Sequence, residues 1–212
     1  MARGRAADYE DRRREIGAAA ARLFAEKGFA AVSVSDIARE AGCAKSLLYH
    51  YYPSKERLLA DLLTSHVEAL RAAADAALKG SDDPREQFRA FLRGHMRLYA
   101  DARNYHVLLL NSLPQLSPEE RQVVVRIERE LVEIATDLLR QLVPTLAEKP
   151  ELLRPAAMNL YALINWTHVW YHAEGPLKPE AFADFAGDLF LDGLDAAVAR
   201  ASPLPPSGRE TG

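Results

Sequence analysis

Helix start signals recur along nearly the whole chain, and they constrain its fold more than any other feature. A serine or aspartate stands just before an apolar-patterned segment, and in several cases an acidic residue follows three positions later, as in a capping box. The signals are Ser33 with Asp36, Ser54, Asp83 with Pro84 and Glu86, Ser117 with Pro118 and Glu120, and Pro179. No segment shows convincing period-two alternation. An all-α fold without a sheet is therefore predicted.

Apolar spacing of three and four residues predicts about nine helices between these signals. The predicted helices cover residues 12–27, 34–41, 44–50, a long segment from 55, and then 85–100, 105–111, 118–142, 151–173 and 179–199. Gly28 and Gly42 are predicted to end the first two helices, because glycine readily adopts the left-handed conformation that follows a helix.

Composition indicates a globular protein rather than a membrane or disulfide-stabilised one. The chain has 212 residues, of which 49% are hydrophobic, enough to fill a sizeable core. Cys43 is the single cysteine, so an intrachain disulfide is excluded. No apolar stretch approaches the roughly 18 residues that cross a bilayer, and the N-terminal arginines are not followed by the apolar segment of a secretory signal. A cytoplasmic location is expected.

Charge is distributed unevenly along the chain, although the net charge is only −3. Residues 1–60 contain 11 Lys and Arg against 8 Asp and Glu, whereas the remainder contains 16 against 22. This small excess of positive charge favours phosphate binding at the N-terminal end.

Residues 33–55 have the outline of a helix-turn-helix: a capped helix, a glycine turn and a short second helix. Helical bundles that never bind DNA can share this outline. The side chains favour DNA, because the short second helix has little apolar content to bury and ends in polar and aromatic residues. They are Lys45, Ser46, Tyr49, His50 and Tyr51. Lys55 lies in the first turn of the next helix, where an ammonium and backbone N–H groups can meet a phosphate.

The segment "SVSDIAREAGCAKSLLYHYYPSKERLLADLL", residues 33–63, resembles the helix-turn-helix signature of the tetracycline-repressor (TetR) family of bacterial transcriptional regulators. The matching elements are a serine-led "DIAxxAG" and then "LYxxYxSKExLL". The resemblance is close over residues 10–65 and rests elsewhere on length and on the all-helical body. It implies a homodimer that binds a palindromic operator, most often as a repressor, and that a small effector releases.

The resemblance assigns a role to each matching position. Ser33 would cap the second helix and contact a phosphate, Lys45, Ser46 and Leu47 would face the major groove, and Tyr49, Tyr51 and Lys55 would hold the DNA backbone. His50 could contact a phosphate or be a solvated surface residue, and Tyr49 could instead be a core tyrosine.

Three residues depart from the family pattern. Ala44 replaces a capping serine, which weakens the start of the recognition helix by roughly 1 kcal/mol. Leu47 replaces a common threonine and favours an apolar contact with a thymine methyl group. Tyr52 replaces phenylalanine and is predicted to pack inside, with a partner for its hydroxyl.

Three regions are predicted: a DNA-binding domain at 1–54, an effector-binding and dimerisation domain at 55–201, and a flexible tail at 202–212. The last helix is apolar over more than one face, which suggests a partner subunit. In the TetR family the last two long helices of each protomer form a four-helix bundle across a two-fold axis. The predicted interface residues are Phe182, Phe185, Leu189 and Phe190.

Polar or polarizable residues on otherwise apolar helices are candidates for an effector pocket. They are His95, Met96, Tyr99, His106, Asn111, Asn165, Trp166 and His168. Residues 164–194 resemble the C-terminal segments of family members tied to acyl-CoA metabolism, so an acyl-CoA is the first candidate effector, with Arg97 or Arg103 at its nucleotide end. The alternative is a planar aromatic or drug-like molecule stacked on Trp166 or Tyr99.

Other classes of function fit the sequence less well. No Ser-His or Cys-His spacing stands out, and the carboxylates of the body occupy ordinary surface helix positions, so an enzyme is not predicted. A plain helical scaffold would leave the groove-facing residues unexplained. His168 and His172 have a spacing that can bind a metal, but no carboxylate or thiol accompanies them, so neither a metal site nor a cofactor is predicted.

Overall fold

The computed structural model describes residues 2–201, with side chains from residue 8 onward, and every regular element in that range is helical. The helices are α1 Ala2–Lys27, α2 Val34–Glu40, α3 Lys45–Tyr51, α4 Lys55–Lys79, α5 Pro84–Asp101, α6 Arg103–Ser112, α7 Pro118–Leu142, α8 Pro150–Asn165, α9 Thr167–Trp170 and α10 Pro179–Arg200. Single 3₁₀ turns, Leu113–Gln115 and Pro144–Leu146, flank α7. The predicted all-α class is confirmed, and the predicted tail at 202–212 lies outside the described residues.

The predicted start signals form the expected caps. Complete capping boxes begin α2 at Ser33 and α7 at Ser117. The hydroxyl of Ser54 accepts the N–H of Arg57 at the start of α4, and the carboxylate of Asp83 accepts an N–H at the start of α5. These contacts are local, which is why spacing alone located these four helix starts to within one residue. The first helix has no such signal, and α1 begins at Ala2, ten residues before the predicted start.

Two glycines terminate helices with positive φ angles, as predicted. Gly28 has φ 80° after α1, and Gly42 has φ 60° after α2. Residues with a Cβ atom rarely adopt this conformation, so the chain reverses at these points without strain only because the side chain is absent.

The predicted helix at 151–173 is wrong in its second half. The helix α8 ends at Asn165, and the one-turn helix α9 follows after Trp166. The hydroxyl of Thr167 donates to the carbonyl of Ile164 at 2.6 Å, and the N–H of Tyr171 closes α9 on the carbonyl of Thr167. A hydroxyl bonded to a carbonyl of the preceding turn competes with the helical ladder, and an apolar pattern does not reveal it.

The helices α1–α3 and the first turn of α4 form a helix-turn-helix unit, and α4 continues from that unit into the body. There α4 packs against α5, α6 and α7. Buried side chains form one apolar cluster that runs through both parts of the molecule. The predicted boundary at residues 54 and 55 coincides with the start of α4, and the division into two domains stays a prediction.

Ion pairs fix the register of α10 against α5. Three arginines spaced four residues apart on α5 meet three acids spaced four apart on α10. The pairs are Arg89 with Asp188, Arg93 with Asp184 and Arg97 with Glu180. At Gly187 the helices approach so closely that a Cβ atom would lie 2.8 Å from the Cδ1 atom of Leu92. One face of α10 is thereby held on the body, and its opposite face is left outward.

Candidate DNA-binding surface and ligand cavity

A single buried side chain anchors the recognition helix α3. Leu48 is fully buried in the core, while the flanking residues Lys45, Ser46 and Tyr49 are exposed. Ala44 occupies the N-cap position and makes no side-chain hydrogen bond, as its residue type predicted. The first N–H groups of α3 are therefore left for solvent or another partner.

The predicted groove-facing residues share one end of α3. The ammonium of Lys45 lies 5.9 Å from the ring centroid of Tyr49, so the two side chains extend from the same side of the helix. Tyr49 is 46% exposed, which contradicts the alternative that it is a core tyrosine. Leu47 is half-buried beside them. The predicted base and backbone contacts of these residues stay predictions.

An aromatic cluster links α3 to the beginning of the described side chains in α1. The ring of Tyr51 lies 4.5 Å from that of Tyr9, and the ring of His50 lies 6.2 Å from that of Tyr9. Sequence reasoning missed Tyr9, although an isolated tyrosine in a strongly charged segment was a usable signal. His50 is exposed and Tyr51 is half-buried, so both can still be reached from solvent.

Lys55 lies in the first turn of α4, as predicted, and its ammonium is engaged within the protein. Its ammonium donates to the carbonyls of Phe29 and Val32, each at 2.9 Å, and lies 4.2 Å from the ring centroid of Phe29. These carbonyls lie in the turn that joins α1 to α2, where backbone acceptors have no helical partner. Two of the three ammonium donors are therefore used inside the protein. Lys55 thus ties α4 to this turn, and its predicted phosphate contact stays a prediction.

Ser33 is also engaged within the protein. Its hydroxyl accepts the N–H of Asp36 at 3.1 Å and donates to the Asp36 carboxylate at 2.6 Å. Hydrogen bonds from Ser33, followed by that from Arg39, lower the pKa of Asp36 to about 2. The predicted cap is confirmed, and the predicted phosphate contact stays a prediction.

The hydroxyl of Tyr52 finds a partner, as predicted. Tyr52 is buried, and its hydroxyl donates to the carboxylate of Asp61 at 3.3 Å. Arg13 of α1 donates to the same carboxylate at 2.5 Å. Burial, and next the charge of Asp61, raise the pKa of Tyr52 to about 12. The triad of Tyr52, Asp61 and Arg13 joins α1 and α4. Sequence spacing did not identify Asp61 or Arg13 as the partners of Tyr52.

A cavity of about 710 Å³ lies among α4, α5, α6, α7 and α8. Its apolar wall includes Val67, Leu70, Leu109 and Leu131. Four of the predicted effector residues line it: His95, Tyr99, His106 and Asn165. A cavity of this volume is within the range of small-molecule sites.

The other four predicted effector residues do not line this cavity. Met96 follows His95 on α5 but is fully buried in the core, and Asn111 is exposed and donates to the carbonyl of Val107. Trp166 is 63% exposed at the break after α8. His168 lines a smaller depression of about 190 Å³, on the far side of Tyr99. Residues within one helical turn of each other can line the cavity, pack in the core or face solvent. Sequence spacing did not distinguish these three positions.

The arginines expected at the nucleotide end of an acyl-CoA, Arg97 and Arg103, do not line the cavity. Arg97 pairs with Glu180, and Arg103 donates to the carbonyl of His168. The arginines that line the cavity are Arg129 and Arg154, both exposed.

Aromatic and imidazole rings form the inner wall of the cavity. The rings of Tyr99 and His106 stack at 3.6 Å, and the Tyr99 hydroxyl donates to the side chain of Asn165 at 2.9 Å. Burial lowers the pKa of His95 to about 4 and that of His106 to about 3. Both imidazoles are therefore neutral near pH 7.

Sequence reasoning missed several polar residues of the cavity, among them Glu128 and Tyr161. Burial raises the pKa of Glu128, and burial followed by the charge of Glu128 raises the pKa of Tyr161. Glu128 stands among many charges on amphipathic α7 and resembles an ordinary surface residue. Tyr161 had a weak signal, as a hydroxyl on the apolar stripe of α8.

The predicted dimer residues separate into two groups. Phe182 is buried within the protomer, its ring 5.5 Å from that of Trp170 and 5.3 Å from that of Tyr171, which contradicts its predicted place in an interface. Phe190 is half-buried against the core. Phe185 and Leu189 are 61% and 59% exposed on the outward face of α10.

Two family models match the chain. The model "Bacterial regulatory proteins, tetR family" covers residues 16–62, and the model "Tetracyclin repressor-like, C-terminal domain" covers residues 81–194. The chain belongs to the tetR family. As a member it is a helix-turn-helix transcriptional regulator, and the predicted family is confirmed.

Individual relatives agree with this assignment. The chain is 34% identical to the HTH-type transcriptional regulator BetI of Agrobacterium fabrum, over 87% of this chain and 92% of that protein. It is 37% identical to BetI of Rhizobium meliloti over 57% of this chain, an alignment that spans 60% of that protein. A crystal structure of a TetR-family transcriptional regulator from Bordetella parapertussis is similar with a TM-score of 0.82 and 37% identity, covering 90% of this chain and 98% of that one.

Among the described residues, no helix combines the length and hydropathy needed to cross a membrane.

Proposed function

We propose that this tetR-family protein is a homodimeric repressor that binds a palindromic operator through α3 and leaves it when a small effector enters the cavity. The observation that carries the DNA-binding part is the exposed N-terminal end of α3, held in place by buried Leu48. A recognition helix reads bases with its N-terminal residues, and here those residues are Lys45 and Ser46. Acting on bacterial DNA, the protein would work in the cytoplasm.

The polar residues of the helix-turn-helix unit form two groups, one bonded within the protein and one exposed, and this division supports the proposal. Lys55, Ser33 and Tyr52 use their polar groups to hold the helices together. Lys45, Tyr49 and His50 are exposed. The first group would fix the geometry of α3, and the second would contact the duplex, with Lys45 reaching guanine acceptors.

The outward faces of α8 and α10 support a homodimer. Phe185 and Leu189 on α10, together with Trp166 just after α8, are each more than half exposed. Large apolar side chains that cluster on a surface mark an interaction site. A second copy of the chain would cover them across a two-fold axis, as the TetR resemblance implies.

Exchanging Phe185 for glutamate tests the dimer. Phe185→Glu would place a carboxylate in an apolar interface without a partner, and we expect monomers in sedimentation velocity and loss of affinity for a palindromic duplex. Ala76→Glu, which adds the same charge to an exposed site on α4, is the control and should remain dimeric. A Phe185→Glu protein that sediments as a dimer would place the interface elsewhere.

The cavity supports an effector with an apolar body. An acyl-CoA is one candidate, because an acyl chain could occupy the apolar wall while the nucleotide stays outside near Arg129 or Arg154. The planar aromatic alternative is favoured by the stacked rings of Tyr99 and His106. Titrating the operator complex with acyl-CoAs of graded length and with planar aromatic compounds separates them. Release that rises with chain length supports the acyl-CoA, and release by aromatic compounds alone excludes it.

A further inference from the structure

Polar atoms on the cavity wall lack partners among the described residues. The Nε2 atom of His95 and the hydroxyl of Tyr161 are fully buried and make no hydrogen bond in that part of the chain. A buried polar group without a partner destabilises a protein. Such groups at a cavity wall indicate a ligand that supplies the missing partner.

The hydrogen bonding of His95 determines what that ligand must offer. Its Nδ1 atom lies 2.9 Å from the carbonyl oxygen of Phe91, and a carbonyl can only accept, so Nδ1 carries the proton. In the neutral imidazole the other nitrogen, Nε2, is then an acceptor. His95 therefore requires a ligand with an N–H or O–H donor.

Glu128 adds a negative charge to the same part of the cavity. It is half-buried, and its carboxylate has no ion-pair partner among residues 8–201. After burial, the charge of Glu128 contributes to the raised pKa values of Tyr99 and Tyr161. These are the two tyrosines whose ring centroids lie 6.0 and 5.9 Å from that of His95. The carboxylate, the free acceptor and the two tyrosines all line the same cavity.

The positive charges of the cavity are in a different setting. Arg129 and Arg154 are exposed, so solvent screens them more than it screens Glu128. The buried wall therefore favours a cation over an anion. Faces of tyrosine rings attract cations as well.

We propose that the effector carries a protonated amine, which pairs with Glu128, donates to Nε2 of His95 or to the Tyr161 hydroxyl, and lies against the rings of Tyr99 and Tyr161. This inference rests on the proposed function only in taking the cavity as the effector site. The apolar wall takes the rest of the molecule, so the ligand class is an amine with an apolar body.

One apolar body with four head groups tests the proposal: n-octylamine, n-octanol, n-octanoate and octanoyl-CoA. Binding to the free protein is measured by isothermal titration calorimetry without DNA. We expect octylamine to bind at least about tenfold more tightly than octanol, and octanoate and octanoyl-CoA to bind more weakly than octylamine. Tighter binding of either anion, or no binding of any of the four, would overturn the proposal.

Single-residue variants identify the side chains that produce the preference for octylamine over octanol. Glu128→Gln should abolish the preference for octylamine over octanol, whereas Glu151→Gln, an exposed acid in the first turn of α8, should keep it. His95→Phe keeps a ring but removes the acceptor, so it should weaken amine and alcohol alike. Thermal melting confirms that each variant is folded. A Glu128→Gln protein that still prefers the amine would refute the ion pair.

Calorimetry without DNA tests the ligand class separately from operator binding. A protein that binds octylamine but no palindromic duplex would contradict the proposed regulation and keep the ligand class. A protein whose operator complex is released by other compounds, and which ignores octylamine, would contradict the ligand class alone.

Discussion

Buried polar groups of the helix-turn-helix unit have partners within the protein, whereas several on the cavity wall have none among the described residues. The hydroxyl of Tyr52 meets Asp61, and the ammonium of Lys55 meets two carbonyls. In the cavity, Tyr161 and Nε2 of His95 are left without a partner. The first region is built to keep one geometry and expose its reading groups. The second retains unfavourable polar groups that a ligand would satisfy.

Acid should affect the cavity region more than any single substitution does. Burial lowers the pKa of His66 and of His95 to about 4, and that of His106 to about 3, from an ordinary value of 6.5. Below pH 6.5 the unfolded chain binds protons that the folded chain excludes. The free energy of unfolding should therefore fall as the pH falls from 6.5 toward 4, by at most ~1.4 kcal/mol per pH unit for each histidine.

Urea unfolding at a series of pH values measures this loss of stability, and variants show which histidine causes it. His106→Phe should flatten the decline, because one excluded proton is removed from the balance. A His106→Phe protein with the original slope would show that His106 does not contribute.

Lys55→Ala should unfold more easily, because two charged hydrogen bonds between α4 and the α1–α2 turn are lost. We expect a decrease of about 2–3 kcal/mol in the free energy of unfolding. Lys79→Ala, which removes the same charge from the exposed far end of α4, is the control. Unchanged stability combined with lost DNA affinity would contradict this structural role and favour the predicted phosphate contact of Lys55.

The same substitution should have opposite effects in the two regions. Tyr161→Phe removes a buried hydroxyl without a partner and should stabilise the free protein by about 1 kcal/mol. Tyr52→Phe removes a hydroxyl that donates to Asp61 and should destabilise it by a similar amount. Urea unfolding of the two variants compares them directly. If both substitutions changed the free energy of unfolding in the same direction, the contrast between the two regions would be contradicted.

Local rules explain what the sequence could predict. The capping box at Ser33 and the positive φ at Gly42 depend on neighbours within a few residues, so the helix starts and the turn followed from spacing. The destination of Lys55 depends on carbonyls 23 and 26 residues away, and no local pattern indicates it.

Tertiary packing decided the remaining assignments. Phe182 and Phe185 both lie on a helix that is apolar over more than one face, and only the packing of α10 against α5 shows that Phe182 is turned inward. The cavity is assembled from five helices, so its lining residues could be selected only in part. Glu128 could not be distinguished by spacing from the other acids of α7, and the structure shows that it lines the cavity.

The reading of DNA by α3 is tested most directly by binding-site selection with the unchanged protein and with Lys45→Ala. We expect the unchanged protein to select a palindromic site. We expect Lys45→Ala to lose preference at one base position in each half-site, at a cost of roughly 1–3 kcal/mol of affinity there, with unchanged stability. Lys79→Ala should select the original site. An unchanged base preference for Lys45→Ala would contradict the assignment of α3 as the reading helix through this residue.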